Sequence, residues 1–124
     1  MAMNKIVVVA TSRYLPDQST PADNRYAFSY HITISNDGEQ AAQLVSRHWV
    51  ITDGNEKVQQ VKGPGVIGEK PTILPGDSFE YTSGAFMNTV VGIMQGTYFM
   101  VAEDGTEFEV TIEPFTLAVP NQVH

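Results

Sequence analysis

The chain has 124 residues, 42% hydrophobic and 17% charged, which suits one globular domain over residues 1–124 rather than a disordered chain. Fourteen acids against seven bases give a net charge of −7. This argues against nucleic acid or anionic membranes as partners, since both are held through clustered cations. The absence of cysteine excludes disulfides, zinc–thiolate centres and thiol nucleophiles, and suits a reducing cytoplasm.

The first apolar run, Ile6 to Ala10 after Lys5, is too short for a signal segment or a membrane span. It reads as an edge or early strand of a soluble, cytoplasmic protein. The polar stretch LPDQSTPADN, residues 15–24, reads as a mobile loop. In RYAFSYHITISND, Tyr26, Phe28, Tyr30, Ile32 and Ile34 alternate with polar or small residues. That period of two predicts a half-buried strand, broken by Asn36-Asp37-Gly38. AQLVSRHWVITDGNEKVQQVKG predicts two strands around an Asp53-Gly54-Asn55 turn. Leu44, Val45, Trp49, Val50 and Ile51 fall on both parities, which calls for burial on both faces or for a bulge. A Pro75-Gly76 turn leads into a short strand around Phe79 and Tyr81. GTYFMVAEDGTEFEVTIEPF predicts a second hairpin turning at Glu103-Asp104-Gly105. The tail AVPNQVH is expected to fray. No segment combines a 3.6-residue period with capping residues. About seven short strands with turns every ten residues or so predict an all-β antiparallel sandwich or barrel.

The loop KGPGVIGEKP carries Gly63, Gly65 and Gly68 in a G-x-G-x-x-G spacing. A dinucleotide turn needs a helix to open at its end. Pro71 and Pro75-Gly76 forbid one, and Pro64 lacks an N–H. The Rossmann reading is therefore rejected. Pro64-Gly65 suits the centre of a type II turn. The sharper alternative is a helix-free anion nest formed by Lys62, Gly63, Gly65, Gly68 and Lys70. Lys57 lies beside it, and Glu56 and Glu69 partly cancel the charge.

His31 lies on the polar face of its strand. His48 takes the face opposite Arg47 and Trp49, where a hydrogen-bonded strand histidine is expected. A metal site would need His48 to meet His31 or carboxylates, and no metal-binding spacing is present. Ser83 lacks the G-x-S-x-G context of a nucleophile elbow. No catalytic residue and no metal ligand is assigned. Glu107, Glu109 and Glu113 form a solvated strand face. Phe86, Met87, Ile93, Met94 and Met100 make an adaptable apolar stretch that would suit a partner if exposed.

Three stretches, QLVSRHWVITDGN, GPGVIGEKPTILPGDSFEYTSG and GIMQGTYFMVAEDGTEFEVTIEPFTLAVP, resemble in order the ApaG family, also called CorD, from about Lys5 to Pro120. The resemblance implies an immunoglobulin-like or fibronectin type III-like β-sandwich. It also implies a bacterial protein, often encoded beside a diadenosine tetraphosphate hydrolase, with a family link to cobalt tolerance and magnesium efflux. Similar domains in eukaryotic F-box proteins and in a polymerase-delta-interacting protein suggest protein binding. The glycine loop has been noted in the family as a pyrophosphate binder. The resulting expectation is a non-enzymatic module without cofactor that binds a protein partner. The alternative is pyrophosphate or a nucleotide of the diadenosine tetraphosphate type at Lys62, Gly63, Gly65, Gly68 and Lys70.

Overall fold

The computed structural model describes residues 3–120. Of the expected frayed tail, residues 121–124 lie outside the described residues, as does His124. Eight strands follow one another: β1 (Ile6–Tyr14), β2 (Tyr26–Asn36), β3 (Ala42–Asp53), β4 (Val58–Pro64), β5 (Thr72–Ile73), β6 (Ser78–Met87), β7 (Val91–Ala102) and β8 (Glu107–Ala118). One sheet has the order β1-β2-β6. The other runs β4-β3-β7-β8, with the two-residue β5 also paired to β3. All pairings are antiparallel. The two sheets face each other as an immunoglobulin-like, fibronectin type III-like sandwich. The strand beyond the expected seven is β5. No helix among the described residues is long and apolar enough to cross a membrane.

Alternation drives the layering. On β2, Phe28, Ile32 and Ile34 point inward and are fully buried, each contributing roughly 1.5–3 kcal/mol of hydrophobic stabilisation. Leu44, Tyr98, Met100, Ile112 and Leu117 meet them from the other sheet. The mixed parity of β3 has a bulge behind it. Leu44 pairs Met100 and Ser46 pairs Phe99, so Val45 is the extra residue. A second bulge lies between β7 and β8. Met94 pairs Phe115 and Gly96 pairs Ile112, so β8 carries one residue more over this span, beside Pro114. Proline is tolerated there because β8 is an edge strand.

Residues 15–24 differ from the expected mobile loop. They form two single-turn 3-10 helices, Pro16–Gln18 and Pro21–Asp23. Ser19 ties them to β2: its Oγ donates to Leu15 O and accepts from Ala27 N, both at 2.8 Å. Asn36 also differs. It ends β2 rather than breaking it, and it is 1% exposed. Its Nδ2 donates to Gln40 O (2.9 Å) and Ile73 O (2.8 Å), and its Oδ1 accepts from Gly38 N (2.9 Å). Asn36 thus satisfies three backbone groups where β2, β5 and the following turn meet.

Candidate functional site

The glycine loop is a tight β-turn hung on the end of a ladder. β4 stays paired with β3 through Gly63↔Arg47 and Pro64↔Ser46, further than a Pro64-Gly65 turn would allow. Gly65 N donates to Val45 O (2.8 Å), while Val66 and Glu69 exchange both hydrogen bonds at 2.8 and 2.9 Å. The turn residues are therefore Ile67 (φ 44°) and Gly68 (φ 79°), and two successive positive φ values make the turn type I′. This corrects the type II expectation at Pro64-Gly65. The type II geometry sits instead at Pro75-Gly76, where Gly76 has φ 85° and Asp77 N donates to Leu74 O. An isoleucine in the left-handed region is a strained placement for a β-branched residue.

The five anion-loop residues are not gathered at one point. Lys62, Gly63 and Lys70 line an open cleft of about 770 Å3 on the outer face of the larger sheet, together with His48 and Glu109. Gly65 is buried. Gly68 lines a different hollow. The N–H groups of Gly65, Val66 and Glu69 already donate within the protein, and Pro64 has none.

The histidines sit on opposite outer faces of the sandwich. His48 Nε2 meets Gln60 Oε1 at 2.9 Å. His31 contacts Thr82 Oγ1 at 2.8 Å and Glu80 Oε1 at 3.0 Å. The hydrogen bonds from His31 and then Thr33 hold Glu80 below the usual carboxylate range. With a whole core between them, the two imidazoles do not converge on one ion. Among the described residues no group of three or more His, Asp or Glu stands close enough to hold a metal.

The second hollow is the more enclosed. It opens between the sheets at the mouth left by β4 and β6 and holds about 430 Å3. The bulge at Val45 turns Arg47, Trp49 and Ile51 inward, so β3 supplies one wall. Tyr30 from β2, with Tyr81 and Ser83 from β6, supplies the other. Val61, Ile67 and Phe86 stand at the rim, 39%, 54% and 43% exposed. Arg25 lies over the Phe86 ring, 4.1 Å from its centroid, and fixes that ring by a cation–π contact.

Aromatic packing stiffens the floor. Trp49 meets Tyr30, Tyr98 and Phe115 edge to face at 5.3, 6.1 and 6.0 Å, geometries worth about 0.5–1.5 kcal/mol each beyond burial. Its indole N–H is buried and has no hydrogen-bond partner among the described residues. The Tyr81 and Tyr98 hydroxyls hydrogen-bond each other, and burial pushes both well above the usual tyrosine range.

Arg47 was visible in the sequence only as a residue sharing the parity of Trp49, a cation on a core-facing register. The apolar stretch around residues 86–100 resolves differently from the expectation. Met87, Met94 and Met100 are core residues at 2%, 1% and 0% exposure, and only Phe86 and Ile93 reach the surface. The row Glu107, Glu109 and Glu113 is exposed, as its alternation predicts.

Residues 16–102 match the model of the ApaG domain. The chain belongs to the ApaG family. It is 58% identical to Protein ApaG of Ectopseudomonas mendocina (strain ymp) over 120 residues, covering 97% of this chain and 95% of that protein. It is 54% identical to Protein ApaG of Ralstonia nicotianae over 124 residues, the full length of both. The crystal structure of a putative ApaA protein from Bordetella pertussis superposes with a TM-score of 0.93 at 49% identity, covering 95% of this chain and 96% of that one. The ApaG fold is therefore shared with the Bordetella pertussis protein.

Proposed function

We propose that the protein is a non-enzymatic, cytoplasmic binding module that docks a protein partner at the mouth between β4 and β6. The observation that carries this is the exposed apolar rim Val61, Ile67 and Phe86 around an enclosed hollow. Contiguous exposed apolar surface of this kind marks interaction sites, and a pocket that receives an anchor side chain is where binding energy concentrates. A strained Ile67 on the rim fits the same reading, since strain clusters at binding sites. The family link to cobalt tolerance and magnesium efflux then acts through the partner rather than through metal held by this chain. A specific cobalt-induced shift at His31 or His48 would contradict that part.

A photo-reactive amino acid replacing Ile67 should give a discrete covalent adduct in the native cell. The same replacement at Thr111, exposed on β8, should not. No adduct, or equal adducts at both sites, would refute the docking site.

A second reading is kept by one observation: Lys62, Lys70 and His48 line one cleft. It takes pyrophosphate or a diadenosine tetraphosphate-type nucleotide there. NMR titration with pyrophosphate, ATP and diadenosine tetraphosphate tests it. Amides of residues 62–70 that stay still at millimolar ligand would end it.

A further inference from the structure

We infer that Arg47 is the receptor for a carboxylate, and that the segment docking at the β4–β6 mouth brings an acidic group next to an apolar anchor side chain. This rests on the proposed docking reading and names the partner's chemistry.

The inference starts from incomplete satisfaction of the guanidinium. Arg47 is half-buried, shares the inward parity of Trp49, and borders both the hollow and the neighbouring cleft of Lys62 and Lys70. Its Nη1 donates to Pro64 O (3.0 Å) and Gly65 O (2.9 Å). A guanidinium has five N–H donors, so Nε and Nη2 keep three with no protein acceptor among the described residues. No carboxylate answers the charge either: the ion pair found among the described residues is His31–Glu80, on the outer face of the other sheet. A half-buried charge without its counter-charge is costly, and an acceptor arriving from outside removes that cost.

The guanidinium is also preorganised. The two carbonyl bonds fix it against the end of β4. Gly63 leaves it room, because a Cβ there would stand 3.0–3.2 Å from Nη1, Nη2 and Cζ. A donor fork held in place before binding spends little entropy on capture. The first glycine of the loop thus makes room for Arg47.

The rest of the hollow selects the ligand. Tyr30 is 6% exposed and lines it, and its hydroxyl has no hydrogen-bond partner among the described residues. Ser83 adds a second hydroxyl. Ile51, Val66 and Met94 provide apolar wall. One cation among apolar and hydroxyl groups suits a monoanion, whereas a phosphate dianion calls for more than one positive charge. The volume of about 430 Å3 falls in the range of roughly 300–1,000 Å3 typical of ligand sites and admits an aromatic side chain with its neighbouring carboxylate.

The test uses N-acetylphenylalanine, its primary amide and inorganic phosphate as probes on the full chain. Trp49, the single tryptophan, reports binding by fluorescence, and amide shifts at Gly68 and Phe86 locate it. The acid should bind about tenfold or more tighter than the amide, the effect of a hydrogen bond to a charged group. It should also suppress the Ile67 photo-adduct. Arg47→Met should erase the preference for the acid. Because that change frees two loop carbonyls, Gly63→Ala serves as the second variant: it displaces the guanidinium without removing it and should cut the preference in a protein that still folds. Tyr30→Phe should weaken the acid several-fold more than the amide.

Equal binding of acid and amide, with the adduct still formed, overturns the carboxylate receptor and leaves the docking reading standing. Acid binding that does not compete with the adduct assigns the hollow to a free small carboxylate and overturns the partner's acidic group. Shifts at Lys62 and Lys70 in place of the mouth, or no binding by any probe at millimolar concentration, also overturn it.

Discussion

Replacing Gly65 by alanine separates the structural demands on the loop from any ligand role. Gly65 has φ 58°, and the left-handed region costs a non-glycine residue about 1–2 kcal/mol. The added Cβ would stand 2.1 Å from Glu69 O and 2.9 Å from its carbonyl carbon. Those atoms cannot swing aside as a side chain would, because Glu69 O accepts the Val66 N–H that closes the turn. Relief must strain that bond and the neighbouring Gly65 N–H to Val45 O, each worth about 1 kcal/mol net. The sum is about 3–4 kcal/mol, a large share of the roughly 5–15 kcal/mol that holds a domain folded. At Gly68 (φ 79°) an added Cβ meets nothing within 4 Å among the described residues, so Gly68→Ala should cost only the backbone strain of about 1–2 kcal/mol. At Gly63 the Cβ meets the far end of the Arg47 side chain, so Gly63→Ala should cost least. Urea unfolding followed by Trp49 fluorescence gives all three, with the slope m checking that the folded states stay comparable. If Gly65→Ala is no more damaging than Gly68→Ala, the close-approach argument is wrong.

Ile67→Asn should stabilise the protein by about 1 kcal/mol, because asparagine followed by glycine suits a type I′ turn and a β-branched residue does not. It should also weaken docking, and an unchanged or lowered unfolding midpoint would count against strain at this site. Asn36→Ala should cost about 2–4 kcal/mol by leaving Gln40 O, Ile73 O and Gly38 N without their side-chain partner; a loss below about 1 kcal/mol would show that solvent or backbone movement replaces it. Tyr81 and Tyr98 are held protonated by burial, so above about pH 10 the unfolded chain loses protons that the folded chain keeps. Their contribution is constant below that pH and falls as pH rises further. A Tyr81→Phe, Tyr98→Phe double variant should therefore lose stability less steeply in alkali than wild type, and parallel pH profiles would refute the assignment.

Much of the fold was legible because it rests on local rules. The alternation in β2 and in β8 up to Ile112 identified the buried face residue by residue, and the two hairpins followed from Asp53-Gly54 and Asp104-Gly105. The rest turned on side-chain and loop contacts that neither alternation nor turn composition announces. Asn36 looked like a turn residue because its local bonds to Gly38 and Gln40 are turn-like, while its long-range acceptor, Ile73 O, cannot be read from its neighbours. Residues 15–24 looked loose because the bonds that order them run to Ala27 and Arg25. The G-x-G-x-x-G spacing was visible, but its three glycines answer to three different neighbours: a guanidinium from β3, a carbonyl four residues on, and the handedness of a turn. The candidate hollow was the least legible feature. It is made by strands from both sheets, and its key cation was marked only by shared parity with Trp49.

The bulge at Val45 has a consequence for how this molecule tolerates change in length. Before it, even-numbered residues of β3 face the interior; after it, odd-numbered ones do. The extra residue works as a phase shifter that lets a single strand close the sandwich at one end and furnish the hollow at the other. Deleting it would remove the bulge and still leave Arg47 facing in and His48 facing out relative to Leu44, whereas keeping Val45 in a regular ladder would interchange them. Which of two basic side chains guards the interior is therefore set by the bulge that absorbs one residue, not by their kind.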